Sequence, residues 1–542
     1  MQIGWRGIPF MSDNDLQAEL GKAGVPAEPE HLGLPWTSMG DYLRPMTILA
    51  FFGRATGAGA LAAVLATTAG VGVADANVTL TRVSSDPFTN STSQHATEVE
   101  PDTFAAGGTV VGAFQVGRFF NGGASDIGFA RSGDGGATWG PAGFLPGLTF
   151  NSGATASPFE RVSDPSVAFD AVHRTWLISS IPLLPNTVVP TVFVSRSTDD
   201  GQTWNQPVSI PPPASKTVDL DKNWTVCDNN TSSQFRGHCY TEMDNFGADD
   251  LELMSTSIDG GQTWSTPIPT AGHDKGLGGQ PLVQPDGTVI VPFESLNGKI
   301  EAFRSTDGGQ SWAKGVEVSS IRFHRVAGGL RTSPLPTAEI DGAGTVYVAW
   351  EDCRFRAHCA ANDIVFSRSA DGVNWTRTAR VPIDGVTSGV DHFIPGLAVD
   401  PATSGSGAHL GLTYYFYPNA ACSGACKLEV GFISSPDGGA HWGPATQLAG
   451  PMALSEIALT SQGPMVGDYI SSSFSAGRVA TLFAVGLQEP TATTFDEATY
   501  APSAPLAVAT PAEATNASST TGVVVPVTGI GTGPARQAIR KN

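Results

Sequence analysis

Positive charge is what this chain has least of. Its 542 residues carry 30 Lys and Arg against 50 Asp and Glu, a formal net charge of −20, and only 15% of residues are charged. The summed field repels polyanions and no basic stripe offers phosphate contacts, so nucleic acid is not an expected partner. Cysteine is scarce too, with six residues and no Cys-x-x-Cys or His-x-x-x-His company, which argues against a zinc site. The Asp-x-Asp-x-Asp-Gly spacing of an EF-hand-like loop is also missing. No metal and no cofactor is expected.

What the chain does have is one short phrase that returns six times. Four copies are full: Ser132-Gly-Asp134-Gly-Gly136-Ala-Thr138-Trp139, Ser197 to Trp204, Ser257 to Trp264 and Ser305 to Trp312. Two are degenerate, Ser369 to Trp375, one residue short, and Ser435 to Trp442. Asp followed by Gly is turn chemistry, because the carboxylate accepts bonds from nearby backbone N–H groups while Gly takes positive φ without steric cost. Each phrase follows a short β-type run such as Asp126–Ala130, Thr191–Ser195 or Asp363–Ser367, and each Trp opens the next strand. A large ring repeated at one place per unit suits packing of one unit against its neighbour. Repeats of this kind predict a β-propeller of four-stranded antiparallel blades.

These phrases resemble the Asp-box, or BNR, repeat of the sialidase-like propellers, over roughly Glu100 to Gly486. The resemblance is specific for fold and weakly specific for activity, since a fold hosts many functions. Two features beyond the sixth phrase set the expected blade count. Asp468–Phe474 and Val479–Val485 read as the first two strands of another unit, Phe495–Tyr500 as a third, and Val78–Val83, near the other end, can supply the outer strand. Such pairing leaves no unpaired edge. Seven blades are therefore expected, six with the phrase and one shared by the chain ends; sialidases have six, which is the alternative.

The ends of the chain read differently. Residues 1–45 show no clear periodicity and are expected to be a disordered leader or an over-extended start. From Met46, a positive residue, a small-residue apolar stretch and the ending Ala74-Asp75-Ala76 fit a secretory signal over 46–76. The propeller is assigned to 77–500, and the Ala/Thr/Pro-rich segment 501–542 reads as a disordered tail. All six cysteines fall as near neighbours: Cys227 with Cys239, Cys353 with Cys359, Cys422 with Cys426. Three local disulfides in an oxidising compartment follow, and the protein is expected to be a secreted monomer.

The phrases lie on the turns between third and fourth strands, so the opposite mouth of the ring is where chemistry is expected. First-strand starts bring Glu100, Asp102, Arg161, Asp164, Asp221, Lys222, Gln280, Arg331, Asp391, His392, Asp468 and Tyr469 towards it. Second-to-third loops add Arg118, Asp244, Glu294, Asp352, Arg354, Arg356, His358 and Tyr417. The resemblance implies an arginine clamp for a substrate carboxylate, a Tyr nucleophile paired with Glu, and an Asp acid. By position, Arg118, Arg161, Arg331 and Arg354 are the candidates for the clamp, Tyr469 or Tyr417 for the nucleophile, Glu294 for its base, and Asp164 or Asp126 for the acid. The Arg-Ile-Pro phrase of sialidases is absent from the first blade, which opens Glu98-Val-Glu100-Pro-Asp102; the similar Arg380-Val-Pro382 falls on an outer strand. The best single expectation is exo-α-sialidase-type hydrolysis of extracellular glycans. The alternatives are a non-catalytic propeller binding glycan or protein, or a polysaccharide lyase in which His392 or His324 matters.

If the cysteines pair as read, thiol titration of denatured, unreduced protein finds essentially no free thiol. Six free thiols would place the chain in a reducing compartment.

Overall fold

The computed structural model describes residues 78–487 and 494–520, so the expected leader, signal segment and last part of the tail lie outside the described residues. The described residues all fall within one compact unit, Val71–Asn542. Among the described residues the one α-helix is Pro511–Thr520, and nearly all other regular structure is strand.

Strands pair antiparallel in chain order. A representative sheet runs Leu220–Cys227, Cys239–Asn245, Leu251–Ser257, Ile268–Pro269, and similar sheets begin at Gly276, Thr337 and Asp391. The remaining long strands join in one 13-stranded assembly, because His95–Ala106 also pairs in parallel with Thr494–Pro502 and Ala124 bridges Val162. Within it, Ser471–Ser475, Arg478–Gly486 and Thr494–Pro502 pair successively, and Leu80–Arg82 is added outside them. The two ends of the described chain therefore share a sheet.

The first strands stand side by side in a circuit. His95–Ala106 lies against Arg161–Asp170, which lies against Leu220–Cys227; Leu282–Val283, Thr337–Ile340, Asp391–Val399 and Ser471–Ser475 continue the sequence, and the last touches His95–Ala106 again. Side chains bridge these strands to their neighbours' backbone. Asp102 accepts from the Val167 N–H at 2.6 Å, Ser166 from Thr225 at 3.1 Å, Gln280 from Ala338 at 2.8 Å and Thr337 from Leu397 at 3.1 Å. Each bond satisfies a backbone donor that would otherwise be stranded in the interior.

The repeated phrase acts as the sequence implied. Ser132 Oγ accepts from the Gly136 N–H, while the Asp134 carboxylate accepts from the Ser132 hydroxyl and from both the N–H and the hydroxyl of Thr138. The same pattern recurs at Asp199, Asp259 and Asp307, and at Asp437 with His441 in place of Thr. These carboxylates are spent on their own turns. Three of the six tryptophans pack against an aromatic ring of the preceding unit: Trp204 on Phe129 at 5.6 Å, Trp312 on Tyr240 at 6.1 Å, Trp442 on Phe366 at 5.9 Å.

A second tie was not anticipated. The residue before the phrase's Ser is Arg in four units, and each guanidinium donates to a backbone carbonyl in the next unit's phrase: Arg131 to Asp200, Arg196 to Gly260, Arg304 to Asp371, Arg368 to Gly438. All three cysteine pairs are disulfides, and Cys227 faces Cys239 across adjacent strands. Order also runs past the expected boundary at 500. Leu506–Ala507 adds to Arg478–Val479, and Thr510 with Glu513 caps the following helix, each accepting from the other's backbone N–H.

Replacing Arg196 or Arg304 by Ala removes a charged donor from a neighbouring turn, and a loss of about 1.5–3 kcal/mol in denaturant unfolding is expected for each. The same change at the exposed Arg478, outside this pattern, should cost less.

Candidate functional site

The phrase turns leave the opposite strand ends free to build a pocket. Those ends are bulged. Register slips between Val99 and Asp102, Ser163 and Ser166, Asp221 and Trp224, and Phe393 and Gly396. In the first two and the last, the bulge is an X-Pro pair, Glu100-Pro101, Asp164-Pro165 and Ile394-Pro395, and proline fits because a bulge frees one residue from the ladder. The leading residues of the four bulges, Glu100, Asp164, Lys222 and Ile394, all have left-handed backbones, with φ of 52°, 51°, 48° and 48°. Non-glycine residues there cost about 1–3 kcal/mol each and persist only where their surroundings enforce them. Three consecutive strands thus present charged side chains at the same strained position.

These three line one pocket with Arg118, Ser163, Asp221, Arg331 and the Asn121–Gly123 turn. Part of its wall comes from outside the repeat. Leu459–Thr460 and Gly463–Pro464 pair as a hairpin whose tip, Ser461 and Gln462, faces the pocket. The hairpin is tied down by Ser461 N–H to the Phe120 carbonyl at 2.8 Å and Arg331 N–H to the Pro464 carbonyl at 2.9 Å. The cavity measures about 40 Å³, room for one or a few waters.

Behind the lining, the buried Asp468 accepts from Lys222 Nζ and from Arg331, whose Nε lies 2.7 Å away. Its own N–H donates to Glu100 Oε1 at 2.9 Å. Gln115 donates to the other Glu100 oxygen and to Ser163 Oγ, and its carbonyl oxygen accepts from Arg118 at 2.8 Å. Ser163 donates to Asp164 Oδ1 at 2.6 Å, while Asp164 Oδ2 has no hydrogen-bond donor and sits 3.5 Å from Lys222 Nζ. Arg118 Nε is likewise buried without a partner.

Burial pushes Glu100 up to about 7, with the Asp164 and Asp468 charges adding to it. Burial would raise Asp468 too, but Arg331 and Lys222 outweigh it and hold that carboxyl well below the usual range. Lys222 and Arg331 are raised in turn: burial opposes their charge, and the surrounding carboxylates more than offset it.

The residues proposed from sequence separate into two groups. Arg118, Arg331 and Asp164 meet in the pocket. Tyr469 lies beside it, its ring edge-on to Trp224 at 5.2 Å and its hydroxyl donating to the Pro165 carbonyl at 3.1 Å; burial, then Glu100, Asp164, Asp102 and Asp468, push its phenol well above the ordinary value. Arg161 is not among the lining residues but bonds one of them, Asn121; it sits 3.1 Å from Glu160 and stacks on Phe119 at 4.4 Å. Arg354 and Glu294 are not among the lining residues. Arg354 is held by Asp352, Ser319 and Thr378 over the Trp350 ring, and Glu294 accepts from Ser333 at 2.9 Å. Of the alternatives, Tyr417 is buried opposite Asp391, and Asp126 opposite Val116. Ser163, Gln115 and the Ser461–Gln462 tip carried no sequence signal that was used. The charged residue preceding proline at a first-strand start is the signal that would have singled out Glu100 and Asp164.

Two further clusters lie outside this pocket. Asp363, Asp384 and His392 gather, but Arg356 and Arg380 are already their counter-ions. Glu242 and Glu252 are buried together with Asp274 and Asp250 as nearby negative charges; burial pushes Glu252 up to about 8 and Glu242 well above its ordinary value.

No family model and no curated protein matches the chain. Solved structures with a similar chain course include a Hadza microbial sialidase, at 16% identity and TM-score 0.38 over 75% of this chain and 65% of that one. A protein of unknown function from Dyadobacter fermentans is similar at 15% identity and TM-score 0.42, over 66% of this chain and 99% of the other. A leech intramolecular trans-sialidase is similar at 14% identity and TM-score 0.38, over 74% and 67%. The chain thus spans about two thirds of the sialidases it resembles. At such identity and TM-score the likeness transfers no residue role, and the architecture rests on the strand pairings themselves.

The raised carboxyls make stability depend on pH. Burial lifts Glu98, Glu100 and Asp102 to about 7 and Glu252 and Glu339 to about 8, so their contribution is full below the unfolded values of 3.8 for Asp and 4.5 for Glu and is lost as pH rises through 7 to 8. Denaturant unfolding should therefore show stability falling between pH 5 and pH 9, with a shallower fall in Glu242→Gln.

Proposed function

We propose that the protein is a secreted seven-bladed propeller whose axial pocket takes a carboxylate or hydroxyl group of an acidic or polyhydroxylated sugar on an extracellular glycan. The circuit of first strands, together with the outer strand that Leu80–Arg82 adds to the last sheet, supports seven blades over six. Three disulfides fit an oxidising compartment, and among the described residues no helix is long and apolar enough to cross a membrane. The observation that carries the reading is that two pocket-lining cations, Lys222 and Arg331, pair on one carboxylate buried behind them, with a third, Arg118, partly unpaired in the same lining. Arg forks and ammonium groups arranged so recognise carboxylates and hydroxyls.

The same geometry favours binding over sialidase-type hydrolysis through tyrosine. A phenol that donates to a carbonyl amid four carboxylates resists becoming a phenolate, and Arg161 and Arg354 already have carboxylate partners. The signal over 46–76, the leader before it and the monomeric state belong to this proposal as well.

Purified protein on a glycan array should retain glycans ending in an acidic sugar, with weaker retention at high salt. Arg118→Met should weaken binding about tenfold, a loss of about 1.4 kcal/mol, read by calorimetry. An array with no retained glycan would overturn the reading in favour of a protein partner. Unsaturated uronate products appearing from acidic polysaccharide would replace it with a lyase.

A further inference from the structure

We infer that Glu242 and Glu252 hold a calcium ion between the sheet that begins at Leu220 and the one that begins at Gly276, a site separate from the axial pocket and independent of the sugar reading. Cys239–Asn245 and Leu251–Ser257 pair without a register slip, and Asp244 stands directly opposite Glu252. Side chains two apart on a strand share a face, as do directly opposed ones, so Glu242, Asp244 and Glu252 project together. The segment that enters the next sheet closes over them. The Glu252 N–H donates to the Asp274 carbonyl at 3.0 Å, and the Gly276 N–H to the Asp250 carbonyl at 2.9 Å. Gly279 passes so near that a Cβ there would lie 2.7 Å from Glu242 Cδ. Both glutamates are fully buried, and none of their four carboxylate oxygens has a hydrogen-bond partner among the described residues; the Gly279 N–H comes near Glu242 without reaching bonding geometry. The charges that act on the two glutamates are each other's and those of Asp244, Asp250 and Asp274, all negative. Lys275, on the crossing segment, pairs instead with the exposed Asp249 at 2.8 Å.

Elsewhere the chain buries acids with a cation to match, Asp468 with Lys222 and Arg331, and Asp363 with Arg356 and Arg380. At Glu242 and Glu252 no side chain among the described residues supplies one. A single proton shared by the two carboxyls engages only two of the four oxygens, and a buried acceptor left without a partner is costly. A divalent cation bound by both engages all four and offsets both charges. Donors that are all oxygen select a hard cation. Full burial leaves little place for the waters that magnesium keeps, which favours calcium, with Asp244 and backbone carbonyls of the crossing segment completing its shell of about six to eight oxygens. No EF-hand spacing is needed, because the ligands come from two paired strands, Glu242-Met243-Asp244 and Asp250-Leu251-Glu252, that meet only in the sheet. The ion joins two sheets and so acts on stability. It takes the place of the proton that a buried carboxyl otherwise keeps, so the loss of stability with rising pH described above belongs to the metal-free chain.

The test uses the full secreted chain, freed of metal by a chelator, dialysed, and titrated with calcium chloride alone. Calorimetry should find one calcium bound per chain with a Kd below about 1 mM, and saturating calcium should raise the melting temperature by a few degrees. Glu242→Gln and Glu252→Gln should each weaken binding about tenfold or more and shrink that shift, with circular dichroism in chelator showing each variant folded. Glu317→Gln, in the exposed pair with Lys299, should bind calcium as the wild type does. A wild-type chain that neither binds calcium at about 5 mM nor melts higher with it overturns the inference. So does binding that both glutamine variants leave unchanged, which puts the ion elsewhere, or a shift with magnesium as large as that with calcium. Where a variant fails to fold, a crystal structure grown with calcium decides: density for an ion between the two carboxyls supports the site, and its absence there overturns it. None of these outcomes bears on glycan retention, which the array tests separately.

Discussion

The pocket depends on a single backbone constraint, the bulge near the start of the first strand. First strands crowd around one axis, and a regular strand there would present only its alternate side chains. Slipping the register turns Glu100, Asp164 and Lys222 towards one space and lets neighbouring strands exchange side-chain to backbone bonds, as Asp102 does with Val167. The cost is a left-handed residue at each bulge, and it is borne where six charged groups, Glu100, Asp164, Asp468, Arg118, Lys222 and Arg331, interlock. Buried charge of this kind is a poor source of net stability, since desolvation consumes most of the Coulombic gain. Its presence points to a use other than holding the fold together.

The work of joining neighbouring units is done elsewhere. On the far face each Asp closes its own turn, Trp204, Trp312 and Trp442 meet an aromatic ring of the preceding unit, and Arg131, Arg196, Arg304 and Arg368 reach forward to the next turn. These ties repeat because the units repeat. The pocket does not repeat, and its asymmetry follows from which bulge carries which side chain: charged in three consecutive strands, but Ile394 in a fourth. The hairpin that carries Ser461 and Gln462 adds a wall from outside the repeat altogether, so the face that could bind a sugar is the least periodic part of the molecule.

Among the clamp candidates, position along the chain was a poor guide to position in space. Arg331 and Arg354 both come from loops on the pocket face, yet one reaches the axis and the other is drawn back over Trp350 to Asp352 and the outer strands. Tyr469 follows Asp468 immediately, yet its ring goes to Trp224 while Asp468 meets the cations. A one-residue difference in register decides such outcomes.

The sequence by itself determined the turns, the strands that flank them and the disulfide pairs, because each of these depends on residues close together in the chain: an Asp and its next few N–H groups, or two cysteines within one loop. Only the tertiary structure decided which ionisable groups share the pocket and what each is bonded to. Lys222, Arg331 and Asp468 are joined across more than a hundred residues, and no local pattern records a contact made when distant strands converge on an axis.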